Sequence, residues 1–345
     1  MVERLVGMQA QVPSNPYVAL WARLRDFDPR ELSDLIAGRG AVRAQLMRST
    51  IHLVSARDAL ALHGLTGPVL ARTFAGQAQF LRAMVAAGVG LEAVVAAGRA
   101  LLAEAPRTRA ELAETLGPRW PEVAPATLAQ AVTFNSALVQ VPPRGLWRES
   151  GAARWALTEA WLGAAPDPEP SIDAVVLRYL AAFGPATASD VRTWSGFTGL
   201  RPVIDRLRPQ LRSFRDEQGR ELLDVPDAPR PDPATPAPPR FLPEYDNLGL
   251  SHADRARLFN GLGPGLPFPT GTWIGSLYAD GFYRAWWKLT EHDGVATLAV
   301  DRFTPAASDP AGTQDEIAAE GERLLRFLAP EATAQRVDFT GPRSA

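Results

Sequence analysis

The 345-residue sequence predicts an α+β protein in which tandem winged helix-turn-helix units precede a C-terminal β-barrel-like domain. Three observations lead there. Three amphipathic helical segments followed by a strand–turn–strand segment occur over residues 171–224, and the same order occurs over residues 91–150. A proline-rich stretch then interrupts the chain. Beyond it the apolar pattern changes from a helical period to alternation around glycine-containing turns.

The first copy is the least complete. "VERLVGMQAQ" and "DPRELSDLIAGR" read as helices, and "VRAQLMRSTIHLVS" ends in a strand-like Thr50 to Val54, but an opening helix is missing, as though the chain starts late. The second copy runs through the helix "LEAVVAAGRALLAEA", then "TRAELAETLG", where Thr108 and Glu111 have the spacing of a capping box. A third helix, "APATLAQAVTFNSAL", leads into "LVQVPPRGLWRES", two strands about a turn at Pro142 to Gly145. In the third copy, "SIDAVVLRYLAAFG" closes at Gly184-Pro185, "TASDVRTWSG" repeats the capping box at Thr187 and Asp190, "LRPVIDRLRPQL" is the third helix, and "RSFRDEQGRELLDV" is a hairpin turning at Asp216 to Gly219.

These readings divide the chain into an incomplete first winged-helix unit with connecting helices (1–90), a second unit (91–163) and a third (164–228), then a Pro-rich linker (229–240) and a β-rich C-terminal domain with a closing helix (241–345). The linker lacks apolar content and should be extended. In the last domain, "GTWIGSLYADGFYRAWWKLTEHDGVATLAVDRF" reads as a meander, a small barrel or curved sheet, and "DEIAAEGERLLRFLA" as an amphipathic helix.

Composition narrows the chemistry. There is no cysteine, which removes disulfides, thiolate zinc sites and cysteine nucleophiles, and four scattered histidines make an all-histidine metal centre a poor expectation. Neither a membrane-length apolar run nor a secretory leader is visible, so a cytoplasmic, nucleoid-associated protein with no membrane partner is expected. The net charge of −2 taken alone counts against nucleic-acid binding. The cations are nevertheless arginines with the single exception of Lys288, and arginine offers a planar fork that suits phosphates and base edges. A GC-rich coding sequence accounts for the same bias.

Near the start, Gln9 and Gln11 stand two apart in "GMQAQ". As bare residues they read as solvated amides at a helix start. With "LMRSTIHLV", "LVQVPPRGLW", "LPEYDNLGLSHADR" and "EGERLLRFL", however, the segment resembles the AlkZ/YcaQ-like winged-helix DNA glycosylases over residues 2 to about 328. The resemblance implies tandem winged helices, a C-terminal β-domain, repair of alkylated or crosslinked DNA, and a catalytic Gln-x-Gln motif formed by Gln9 and Gln11. Members of that family carry a further helix ahead of the position matching Val2.

A carboxamide is neither acid nor base near neutral pH, so this pair cannot do the work of a carboxylate dyad. It suits a reaction that needs little proton transfer. A guanine alkylated at N7 is already a good leaving group, which leaves the enzyme to place a water and to stabilise developing oxocarbenium character. Both amides reach one ligand only where the backbone is extended or at a helix end, as Pro13 and Pro16 favour.

Supporting roles fall to Thr50 and His52 on the presumed strand, with His52 either contacting a phosphate, orienting the water, or bridging two winged helices structurally. Arg48 and Arg144 are natural phosphate contacts. Tyr245, Asn247, His252 and Arg255 belong to a polar run that either lines a DNA channel or braces the fold. The expectation is a monomeric, monofunctional glycosylase acting on double-stranded DNA with alkylated bases, without metal or cofactor. A non-catalytic winged-helix DNA-binding protein and an inactive, N-terminally shortened paralogue are the alternatives. Third helices poor in base-reading side chains apart from Arg201, Arg206 and Arg208, and the lack of a dimerising heptad, weigh toward the enzyme.

Overall fold

The computed structural model describes residues 1–259, 275–303 and 312–340. Two compact units emerge, one of Met1–Tyr17, Phe27–Pro229 and Leu250–Ala253, the other of Val18–Asp26, Arg230–Gly249 and Asp254–Ala345. The N-terminal part runs β1 (Met8–Gln9), α1 (Asn15–Trp21), α2 (Pro29–Ala37), β2 (Ala41–Gln45), β3 (Ile51–Ser55), α3 (Ala56–Gly76) and α4 (Ala78–Ala86). Next come α5 (Leu91–Glu104), β4 (Arg107–Thr108), α6 (Arg109–Leu116), α7 (Pro125–Phe134), β5 (Leu138–Val141), β6 (Arg154–Leu157) and α8 (Thr158–Leu162). A third set is α9 (Ile172–Phe183), α10 (Ala188–Ser195), α11 (Leu200–Leu207), β7 (Arg212–Arg215) and β8 (Glu221–Asp224).

Both capping boxes form. The Glu111 carboxylate accepts from the Thr108 N–H at 2.7 Å while the Thr108 hydroxyl accepts from the Glu111 N–H at 3.1 Å, and Asp190 and Thr187 exchange the same pair of bonds at 2.7 and 3.1 Å. Free N–H groups of α6 and α10 are thereby satisfied where the hydroxyl–carboxylate spacing predicts. The segment "VERLVGMQAQ" departs from expectation. Instead of a helix it is a turn ending in β1, because Val6 (φ 52°) and Gly7 (φ 93°) both sit in the left-handed region, which a right-handed helix cannot accommodate.

Six strands form one sheet in the order β1-β3-β2-β5-β6-β4, so strands from the first and second helical sets share a hydrogen-bonded surface through the antiparallel β2–β5 pair. One face, with Val42, Ala44, Val54, Val139, Val141 and Ala156, packs into a core with Val175, Val176, Tyr179, Val191 and Trp194 from α9 and α10. Burial of these side chains contributes roughly 1.5–3 kcal/mol each for the larger ones. On the helical side, α5 crosses α7 at Gly98, where an added Cβ would collide with both methyl groups of Val132. Only a residue without a side chain allows that approach.

The second unit contains β9 (Arg240–Leu242), most of α12 (Asn247–Leu250), α13 (Ala256–Phe259), β10 (Gly275–Ala279), β11 (Phe282–His292), β12 (Val295–Arg302), α14 (Thr313–Leu328) and β13 (Ala334–Thr340). The meander β10–β11–β12 turns where the sequence places its turns, although "GTWI" at the start of the predicted stretch lies outside the described residues. The expected barrel is corrected by the topology. Among the described residues the strands make an open five-stranded sheet, order β13-β12-β11-β10-β9, whose edges β9 and β13 do not pair with each other. Between β12 and β13 the chain passes through α14 and returns parallel, so Ile317, Leu324 and Leu325 cover Leu298, Val300 and Trp287. A helix laid on the sheet satisfies its apolar face, the role that closure plays in a barrel.

Candidate active site

Gly7 delivers the glutamine segment to the sheet. Its φ of +93° suits glycine, and a Cβ there would stand 2.7 Å from a Val54 methyl group. Met8 and Gln9 then pair with Leu53 and His52, and the Ala10 N–H donates to the Ile51 carbonyl at 2.7 Å. The chain bends at Gln11. Gln9 is therefore extended and buried, 7% exposed, on the side of the sheet that carries His52. Gln11 stands past the last paired residue, exposed, at the mouth of a cavity.

Both amide oxygens have protein donors. The Gln9 Oε1 accepts from Arg48 Nη2 at 2.9 Å, and the Gln11 Oε1 accepts from the Ile51 N–H at 3.2 Å. Each amide keeps its two N–H donors and a second oxygen lone pair for a ligand. The two amides thus offer donors and acceptors that do not themselves titrate, Gln9 beside Arg48 and His52 and Gln11 at the arginine-lined cavity.

Arg48 is itself held in an unusual conformation. Its φ is 52°, and its backbone lies against Gly196, the left-handed residue (φ +80°) that terminates α10. A Cβ on Gly196 would stand 3.4 Å from Arg48 N and 3.0 Å from a Val69 methyl group. The guanidinium donates through Nη1 to the Trp194 carbonyl, and its Nη2 lies 3.5 Å from His52 Nε2. His52 is 2% exposed, and its Nδ1 donates to the Thr50 carbonyl at 3.0 Å. Burial first, and Arg48 second, pull its pKa down to about 3, so the ring is neutral and accepts at Nε2. The Thr50 hydroxyl donates back to the Met47 carbonyl at 3.3 Å.

The cavity beside Gln11 measures about 230 Å³. One cross-strand row, Arg43–Gln140–Trp155, supplies its floor, and Arg109 and Arg144 stand at its walls. Arg43 is 2% exposed. Its Nη2 donates to the Ala10 carbonyl at 2.8 Å, whereas Nε and Nη1 have no partner. Desolvation, followed by the charge of Arg144, lowers the Arg43 pKa to about 10. Burial likewise lowers the Arg109 pKa, its Nε lacks a partner, and its guanidinium lies 5.4 Å from the Trp155 ring. Arg144 donates to the Gly151 carbonyl at 3.0 Å. Among the described residues no carboxylate lines this cavity.

Of the residues expected from sequence, Gln9, Arg48, His52 and Thr50 come together in one cluster, and Gln11 joins Arg144 at the cavity. His252 is buried in the first unit, its Nδ1 2.8 Å from the Ser251 hydroxyl and its ring 6.5 Å from that of Tyr179. Tyr245, Asn247 and Arg255 lie in the second unit. There Tyr245 is 39% exposed, Asn247 is buried at the start of α12, and Arg255 has its pKa lowered by burial. Between them, Asp246 is tied to Arg23 by two bonds of 2.9 and 2.6 Å. Sequence reasoning missed Arg43, Arg109, Gln140 and Trp155. The available signal was an arginine inside the apolar strand "AVRAQ" and a glutamine inside the apolar strand "LVQV".

The chain is a DNA glycosylase of mixed α+β architecture, and its substrate is DNA. More narrowly, it belongs to the AlkZ-like family, since a family model described as "DNA glycosylase AlkZ-like" matches residues 2–327. Its fold is similar to that of Streptomyces sahachiroi DNA glycosylase AlkZ, at a TM-score of 0.73 and 20% sequence identity over 98% of this chain and 92% of the other. No curated protein sequence matches.

Proposed function

We propose that the chain is a monofunctional glycosylase that hydrolyses the N-glycosidic bond of N-alkylated purines, N7-alkylguanine above all and interstrand crosslinks among them, with the water held by Gln9 and Gln11. One observation carries this reading: two amides sit at the end of a sheet strand with their oxygens pinned by Arg48 and the Ile51 N–H. Such an arrangement positions a water and contributes through orientation rather than proton transfer. Since a purine alkylated at N7 departs without protonation, a non-titrating pair is compatible with that substrate class. His52, neutral at physiological pH, acts with Thr50 as support.

In the same reading the helix–helix–helix–hairpin sets are winged helices that dock on duplex DNA as a monomer in the cytoplasm, at the nucleoid, with no metal or cofactor. Arg144 contributes to the DNA-facing surface of the first unit and Tyr245 and Arg255 to that of the second, whereas Arg48 acts through Gln9 and the buried Asn247 and His252 serve as braces. The test is single-turnover base release from a duplex with one N7-methylguanine, comparing the parent with Gln9→Ala and Gln11→Ala. A drop of at least about a hundredfold in each variant, near 3 kcal/mol of barrier, is expected. A folded parent that binds this duplex and releases nothing identifies a binding protein or an inactive relative instead.

A further inference from the structure

Among the described residues, one polar cavity of the first unit has no internal account. Arg43 is almost wholly buried and leaves two guanidinium nitrogens without acceptors, Arg109 leaves a third, and Arg144 approaches from the hairpin after β5. Burying cations without counter-charge is costly, and removing one partner of a buried pair costs several kcal/mol for that reason. The cavity therefore presents converging guanidinium donors that suit an anion. Planar guanidinium forks suit tetrahedral oxyanions, which accept two N–H bonds from each fork. Three cations also exclude a cationic purine from the same space, so the lesion base itself is not the occupant.

We propose that Arg43, Arg109 and Arg144 form a seat for one backbone phosphodiester of the damaged strand, adjoining the nucleotide presented to Gln11. Gln11 borders the cavity and fixes the distance between the seated phosphate and the reacting sugar. Arg109, anchored over Trp155, and Arg144, tied to Gly151, grip the phosphate from the walls, while Arg43 meets it from the floor. The seat rests on the reading above only for the identity of the adjoining nucleotide.

The experiment measures binding apart from chemistry. Fluorescence anisotropy is recorded on a duplex with one tetrahydrofuran abasic analogue, its phosphates natural or replaced singly by neutral methylphosphonates at each linkage flanking the analogue. One linkage is expected to weaken binding by the parent about tenfold and to lower the salt slope by about 0.9, the amount for one released counterion. Arg109→Gln and Arg144→Gln, partly buried positions that leave Arg43 in place, should bind the natural duplex about tenfold more weakly and lose all sensitivity to that same linkage. Insensitivity of the parent to every flanking linkage overturns the proposal, as does a methylphosphonate effect that persists undiminished in both variants. Competition by inorganic phosphate at constant ionic strength separates the sources. Protection by free phosphate with no methylphosphonate effect indicates a free-anion site and also overturns it. If the variants do not fold, the parent's linkage scan, with Arg144→Lys retaining and Arg144→Leu abolishing sensitivity, decides the matter. A positive linkage scan with no release of N7-methylguanine refutes the substrate reading and leaves the phosphate seat standing.

Discussion

Arg48 donates to the Gln9 amide oxygen at 2.9 Å and, through its other terminal nitrogen, to the carbonyl of Trp194. One guanidinium thus ties the glutamine to the C-terminal end of α10. Arg48→Met should slow base release about thirtyfold, near 2 kcal/mol of barrier, while the Kd for undamaged duplex changes by less than about threefold, because the lost function is orientation of the amide. Arg48→Lys should recover part of the rate. A loss confined to duplex affinity would show Arg48 to be a phosphate contact only.

Base release should be nearly independent of pH. Glutamine amides do not titrate, and burial holds the His52 pKa at about 3, far below the working range. The single-turnover rate on an N7-methylguanine duplex should therefore vary by less than about threefold from pH 6 to pH 8. A break near pH 6–7 would place a titrating acid or base in the reaction.

Stability should fall in acid through two buried histidines. His63 is 7% exposed, its Nε2 lies 2.9 Å from the Thr158 hydroxyl, and burial pulls its pKa down to about 4, while that of His52 is about 3. Each folded pKa lies below the unfolded value of roughly 6.5, so the unfolded chain binds more protons and stability rises with pH between those limits. The contribution is whole above about pH 6.5 and is lost as pH falls toward the folded values, at up to ~1.4 kcal/mol per pH unit for each ring. In urea titrations His63→Gln should shrink the loss between pH 6.5 and 4.5 by up to ~2 kcal/mol. An unchanged slope would mean that His63 charges within the folded protein.

Gly98→Ala should destabilise the first unit by about 1–3 kcal/mol, since its new methyl meets Val132 at the α5–α7 crossing. Adding Val132→Ala should return part of that loss in a double-mutant cycle of urea midpoints. Purely additive losses would show that the two helices do not touch there.

Features set by neighbours in sequence were legible in advance. Thr108 with Glu111, and Thr187 with Asp190, satisfy helix N–H groups three residues away, so their spacing carries the whole interaction. Gln9 and Gln11 were visible only as a motif, because β1 owes its existence to Val6, Gly7 and pairing with β3 rather than to local propensity. Arg43 and Gln140 meet across β2–β5, and no period in the sequence encodes that register. The C-terminal strands were recognisable by alternation, yet alternation is the same in a closed barrel and in an open sheet under α14. What decided between them was the parallel return of β13, which depends on where a helix docks.

The carbonyl that anchors Arg48 belongs to Trp194, 146 residues further along the chain. During synthesis Gln9 and Arg48 emerge first, and nothing can lock the guanidinium until α10 and its terminating Gly196 have followed. At the roughly 5–20 residues per second of translation, the N-terminal motif waits many seconds for the segment that fixes it. Nascent chains halted before α10 carry both glutamines but lack the carbonyl that holds Arg48 on Gln9, so that link is completed only with the third helical set.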